Sequence, residues 1–194
     1  MEKATGVTAG TMSGVYSPVP ELNELAELQK QVGAEYLSRC FEPLPEYDDK
    51  MSFEAVDLTD PDFLSRVVVF AMANGSGSHY GFWRVDDRED LATLPVVAFG
   101  DEGGDHVVAR NLPELFQLLT SDVDPIIGHD EVSYERYEDA EPSGGHEVFV
   151  DWVRTRFGLE PTTDPGAIVA AAQREYGAHF HAWIRPFMER LGYC

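Results

Sequence analysis

Residues 67–87, VVVFAMANGSGSHYGFWRVDD, and residues 94–120, LPVVAFGDEGGDHVVARNLPELFQLLT, decide the fold of this chain. The first stretch opens with a β-branched run, Val67 to Ala73, which meets Asn74-Gly75. Asn-Gly is a strong hairpin signal because both residues tolerate positive φ, and Ser76-Gly77-Ser78 lengthens the turn beyond its two-residue form. Tyr80 to Val85 returns as the second strand. In the second stretch Pro95 to Phe99 and His106 to Arg110 predict two more strands, joined by Asp-Glu-Gly-Gly-Asp. Asn111 then caps a helix in which Leu112, Leu115, Phe116 and Leu119 share a face. The order is sheet first, then helix.

Outward from this centre the periodicity turns helical. Leu22, Leu25, Leu28, Val32 and Tyr36 recur every three to four residues behind Pro20, which suits a first helical position. They predict an amphipathic helix to about Arg39. Residues 1–19, poor in apolar side chains, are expected to form a flexible tail. Pro43 and Pro45 end the helix, and Phe53, Val56 and Leu58 suggest a short strand or extended segment. Asp60-Pro61 carries the cap and first-turn proline of a short helix. Beyond an acid-rich loop, Val148, Phe149, Trp152, Val153 and Phe157 make an apolar stripe that stops at Gly158. Asp164-Pro165 opens a helix through Tyr176. A last helix carries Phe180, Trp183, Ile184, Phe187 and Leu191, with Pro186 expected to kink or break it.

The chain's 194 residues suit one domain. With 43% hydrophobic residues, including 11 Phe, 8 Tyr and 3 Trp, it has the material for a core without disulfide or metal staples. Its two cysteines, Cys40 and Cys194, are too isolated for a disulfide framework or zinc site. Cys40, flanked by Tyr36, Leu37 and Phe41, is expected to be a small buried hydrophobe rather than a reactive thiol. The absence of an apolar leader near Met1 and of a membrane-length apolar run predicts a cytoplasmic chain.

Thirty-five Asp and Glu against 14 Lys and Arg give a formal net charge of -21. Phosphate recognition depends on Lys and Arg that release counterions, so this balance argues against nucleic acid or an anionic membrane as partner. A basic protein fits it; a solubilising surface is the bland alternative. The acids are uneven. Asp86, Asp87, Glu89, Asp90, Asp101, Glu102 and Asp105 are accompanied by a single base, Arg88. From Asp122 to Glu147 nine acids face only Arg136. Both stretches read as loops, where like charges repel one another and a cationic partner relieves the repulsion.

Candidate chemical motifs are weak. Gly75-Ser76-Gly77 lacks the third glycine spacing and following helix of a dinucleotide loop. His179 and His181 would share a face on a strand, but on a helix they diverge. His129-Asp130-Glu131 offers an acid–base group without a nucleophile nearby in sequence. Asp101, Glu102 and Asp105 lack the alternating ligand spacing of an EF-hand and read as a solvated turn. No cofactor or metal is expected, and the chain is not expected to be an enzyme. A metal-dependent hydrolase built on the acidic loops is the competing class.

Phe70 to Val85, Leu94-Pro-Val-Val-Ala-Phe-Gly-Asp-Glu-Gly and Val108-Ala-Arg-Asn-Leu-Pro-Glu-Leu-Phe together resemble the Smi/Knr-like (SUKH) superfamily. The shared features are the Gly-rich hairpin, the aromatic second strand, the Pro-Val-Val strand and the Asn-Leu helix. The resemblance covers a quarter to a third of the chain, and the segment after Val148 is longer than a minimal member needs. It implies an α+β fold with a mainly antiparallel sheet packed against helices; the expected domain covers residues 20–194, with about four to six strands and, as a departure from the family pattern, a helical extension at 148–194. It also implies a binding role, since bacterial members are commonly predicted immunity proteins that neutralise a toxin, often a nuclease. Others are regulatory modules, so a scaffold without a toxin partner is the alternative. The expected partner surface comprises Trp83, Asp86, Asp87, Glu89, Asp90, Asp101, Glu102 and Asp105.

Overall fold

The apolar runs of the two central stretches form a five-stranded antiparallel meander in the computed structural model, which describes residues 15–39, 41–135 and 140–192. Its strands are β1 (Glu42–Pro43), β2 (Val67–Met72), β3 (His79–Trp83), β4 (Val96–Phe99) and β5 (Asp105–Ala109), neighbours in that order. The molecule is α+β, with a second, two-stranded sheet and a long C-terminal helix. Asn74 Oδ1 accepts from the backbone N–H groups of Ser76, Gly77 and Ser78 at 3.0–3.2 Å, which fixes the β2–β3 turn.

Both faces of the sheet are covered. Alternate side chains point to opposite faces of a strand. Val68, Phe70, Tyr80, Phe82, Val96 and Val108 therefore pack on one side, against α1 (Pro20–Val32), α4 (Leu112–Leu119) and α5 (His146–Phe157). Val67, Val69, Trp83, Val97, Phe99 and Val107 pack on the other, against α2 (Met51–Glu54), α3 (Pro61–Arg66) and α7 (Ala178–Leu191). This two-sided burial is why β2 reads as an unbroken apolar run rather than an alternating one. The β5 edge is closed by α6 (Pro165–Ala172) and the π turn Gln173–Gly177 that joins it to α7, which blunts an edge open to strand pairing.

The helix caps follow the sequence. Asn111 Oδ1 accepts from Glu114 N at 2.9 Å, Asp60 Oδ1 from Asp62 N at 2.9 Å and Asp164 Oδ1 from Ala167 N at 3.0 Å. Gly158 ends α5 in the left-handed conformation, φ 67°.

Five expectations are corrected. The first helix stops at Val32 rather than Arg39, because Gly33 adopts φ 72°. Residues 16–19 are docked, not tail: Val19 is buried, Tyr16 Oη donates to the Phe70 carbonyl at 3.2 Å and Ser17 N to Asn23 Oδ1 at 2.8 Å. Phe53 lies on the one-turn helix α2 and Leu58 follows in the turn after it, so both apolar side chains are buried without a strand. Within the acid-rich loop, β6 (Asp124–Ile127) and β7 (Val132–Glu135) form the antiparallel hairpin. Finally, α7 continues through Pro186 without a break. Residues 1–14, Cys40 and Arg136 lie outside the described residues. Among the described residues no helix is long and apolar enough to cross a membrane.

Candidate functional site

Three turns meet at one end of the five-stranded sheet. The β4–β5 turn is closed by a Gly100 N–H to Gly104 carbonyl bond of 2.9 Å, and the β6–β7 turn by a Gly128 N–H to Glu131 carbonyl bond of 3.0 Å. They touch through glycine. Gly103 and Gly104 have φ of 95° and 87°, where a side chain strains the backbone. A Cβ at Gly103 would also overlap the His129 ring, and one at Gly104 the Gly128 carbonyl. His106 Nε2 donates to that Gly128 carbonyl at 2.7 Å, pinning β5 to the hairpin. The β2–β3 turn joins through Asp101, whose Oδ1 accepts from Ser76 Oγ at 2.9 Å and Ser78 Oγ at 2.7 Å.

These turns form one wall of a cavity of about 780 Å³. The second wall is α7, through Ala178, His181, Ala182 and Arg185; the third is α2 with the turn carrying Val56 and Leu58. Phe53, Phe99, Ile184 and Met188 give it an apolar lining, and Asp101, Glu102, Asp105, His79 and His129 a polar one. Burial pushes the Asp105 carboxyl up to about 7, against the one backbone hydrogen bond it accepts from Gly100. Burial likewise pushes His79 down, opposed by Asp49 and Asp101. His106 is also pushed down by burial, while Asp130 and Glu131 pull it up. Asp101 and Glu102 on the β4–β5 turn and Asp130 and Glu131 on the β6–β7 turn, separated in sequence, meet at this end. Arg185 is the single Lys or Arg lining the cavity among the described residues. Lys50, adjacent in sequence to Asp49, instead turns its ammonium inward to Asp48 and the Val67 carbonyl.

The expected partner surface is therefore divided. Asp101, Glu102 and Asp105 lie at the cavity. Asp86, Asp87, Glu89 and Asp90 lie at the opposite end of β4, beyond the Phe82–Val96 pairing. A four-residue strand spans roughly 13 Å, so the seven acids do not make one patch. Asp86 is already paired: Arg88 Nε donates to its Oδ1 at 2.7 Å and holds the carboxyl down at about 2. Asp90 caps the short helix Leu91–Thr93 by accepting from Ala92 N at 3.1 Å. Trp83 is a correction. It is 1% exposed, its ring packed against His179, Phe180 and Trp183 at 5.0–5.5 Å, and it belongs to the core rather than to a contact surface. Asp105 is half-buried, and with its carboxyl pushed up to about 7 it carries less charge near neutral pH than an ordinary carboxylate.

His129, read from sequence as an isolated acid–base group, lines the cavity, and Asp130 and Glu131 flank it. The glycines were the available signal for this meeting, since paired glycines mark close backbone approach; the contribution of α7 left no local mark. Among the described residues no group of three or more His, Cys, Asp or Glu is placed to hold a metal ion. No protein-family model matches the chain, and neither a curated protein nor a solved structure matches it.

Proposed function

We propose that this chain is a non-catalytic, intracellular protein-binding module whose partner is a basic protein, and that it serves as an immunity protein against a toxin such as a nuclease. The observation that carries this reading is the gathering of Asp101, Glu102, Asp130 and Glu131 on two contacting turns at one end of the sheet, on a chain of net charge -21. A nuclease cleft is built to attract phosphates. An array of carboxylates held on two lashed turns is suited to fill such a cleft, and long-range attraction speeds the encounter. The resemblance of the central sheet and helix to Smi/Knr-like proteins supports the same role. The face extends the surface expected from Asp101, Glu102 and Asp105 and omits Trp83.

Affinity capture on the purified chain from lysate of the source cells at low salt, followed by a salt step, tests the reading. A basic protein released by salt, whose nuclease activity the chain then inhibits in purified form, is the expected result. Retention of no basic protein, or capture of one whose activity the chain leaves intact, contradicts it.

A further inference from the structure

We propose that the cavity between α2, α7 and the glycine turns binds a small amphipathic cation, an ammonium or guanidinium group on an alkyl or aryl body. Its volume of about 780 Å³ is that of a small-molecule site, which spans about 300–1,000 Å³. Phe53, Phe99, Ile184 and Met188 offer an apolar surface on which the body of a ligand leaves water. Ala178 and Ala182 are exposed where they line it, so α7 presents a bare strip with room beside it.

Charge chooses the head group. Asp101 and Glu102 are exposed at the mouth, while the guanidinium of Arg185 is drawn toward Glu189 on its own helix at 3.8 Å. An anionic head meets repulsion there and a cationic head attraction. The inference concerns the recess alone and stands without the protein-binding reading, since its test contains no partner.

The full chain is titrated with n-octylammonium at low salt, with octanoate and octanol as anionic and neutral controls, while amide ¹H–¹⁵N shifts are followed. Saturable shifts in residues 99–104 and 178–188 are expected, with octylammonium at least about tenfold tighter than octanoate. The Asp101→Asn, Glu102→Gln double variant brings octylammonium to the affinity of octanol and leaves octanol unchanged. Ala182→Phe fills the recess and abolishes the binding of all three; Ala178→Leu is the second occluding variant, read in its place if far-UV circular dichroism shows Ala182→Phe misfolded. Octanoate binding as tightly as octylammonium, octylammonium binding undisturbed by the folded occluding variant, or no saturable shifts would each overturn the proposal.

Discussion

Burial acts on two carboxylates of this chain with opposite results. Asp122 is buried, which pushes its carboxyl up, but it accepts from Ser143 N at 2.8 Å, Ser143 Oγ at 2.7 Å and Arg39 N at 2.7 Å. Those bonds outweigh burial and hold it below the ordinary range. Its stabilisation is therefore present above the usual carboxylate range and is lost as pH falls through its folded value. Asp122→Ala is expected to lower the unfolding free energy by about 3 kcal/mol near neutral pH, with the deficit shrinking in acid; urea denaturation across pH measures it. Asp105 has the opposite sign. Its folded value of about 7 lies above its ordinary 3.8. The folded state thus loses ground as pH rises from about 4 to about 7, while the unfolded chain ionises and the folded carboxyl stays neutral. Asp105→Asn is expected to match the parent at about pH 4 and exceed it at about pH 8, by at most about 4 kcal/mol and less where solvent reaches the half-buried residue. Equal stability at both pH values contradicts this. Trp83→Ala is expected to cost about 3–5 kcal/mol of folding stability without altering the affinity of the folded fraction for a partner.

At the scale of elements, the turns do more to define the site than the strands. Gly104 holds φ 87° against the Gly128 carbonyl, whereas Gly33 holds φ 72° with open space around it. Gly33→Ala is expected to cost about 1 kcal/mol, the backbone term alone. Gly104→Ala adds a clash between two backbones and is expected to cost on the order of 3 kcal/mol or more and to separate the β4–β5 and β6–β7 turns, which thermal denaturation and loss of the His106–Gly128 hydrogen bond by NMR report. The same contrast explains what was legible in the sequence. Strands β2 to β5 and α4 could be read because apolar runs, Asn74-Gly75 and Asn111 are local signals. The β6–β7 hairpin was hidden because Asp124-Pro125-Ile126-Ile127 and Val132-Ser133-Tyr134-Glu135 are short and acid-flanked, and are fixed by distant partners such as Tyr80, whose hydroxyl lies 3.0 Å from that of Tyr134. The one-turn α2 was hidden because Phe53, Val56 and Leu58 fit neither period. The site was half legible: its acids were named, but the wall supplied by α7 is a tertiary fact, and the distance between Asp86 and Asp101 depends on which end of β4 each occupies.

For the whole molecule, the charge of -21 is a field as well as a composition. A field of this sign attracts cations, as the proposed basic partner requires, and the sheet sorts the acids into two ends. The cavity end collects carboxylates whose neighbours are turns and histidines, while the other end spends part of its charge on Arg88 and on a helix cap. Steering predicts that binding weakens with salt mainly through association. The most direct test is the association rate with the salt-released basic partner across ionic strength, for the parent chain and for two neutralised variants. One carries Asp101→Asn, Glu102→Gln, Asp130→Asn and Glu131→Gln; the other carries Asp87→Asn and Glu89→Gln. The account predicts roughly tenfold slower association at low salt for the first, with little change in dissociation, and near-parent behaviour for the second. Parent-like association of the first variant, or a larger loss in the second, would contradict the assignment of the binding face to the cavity end.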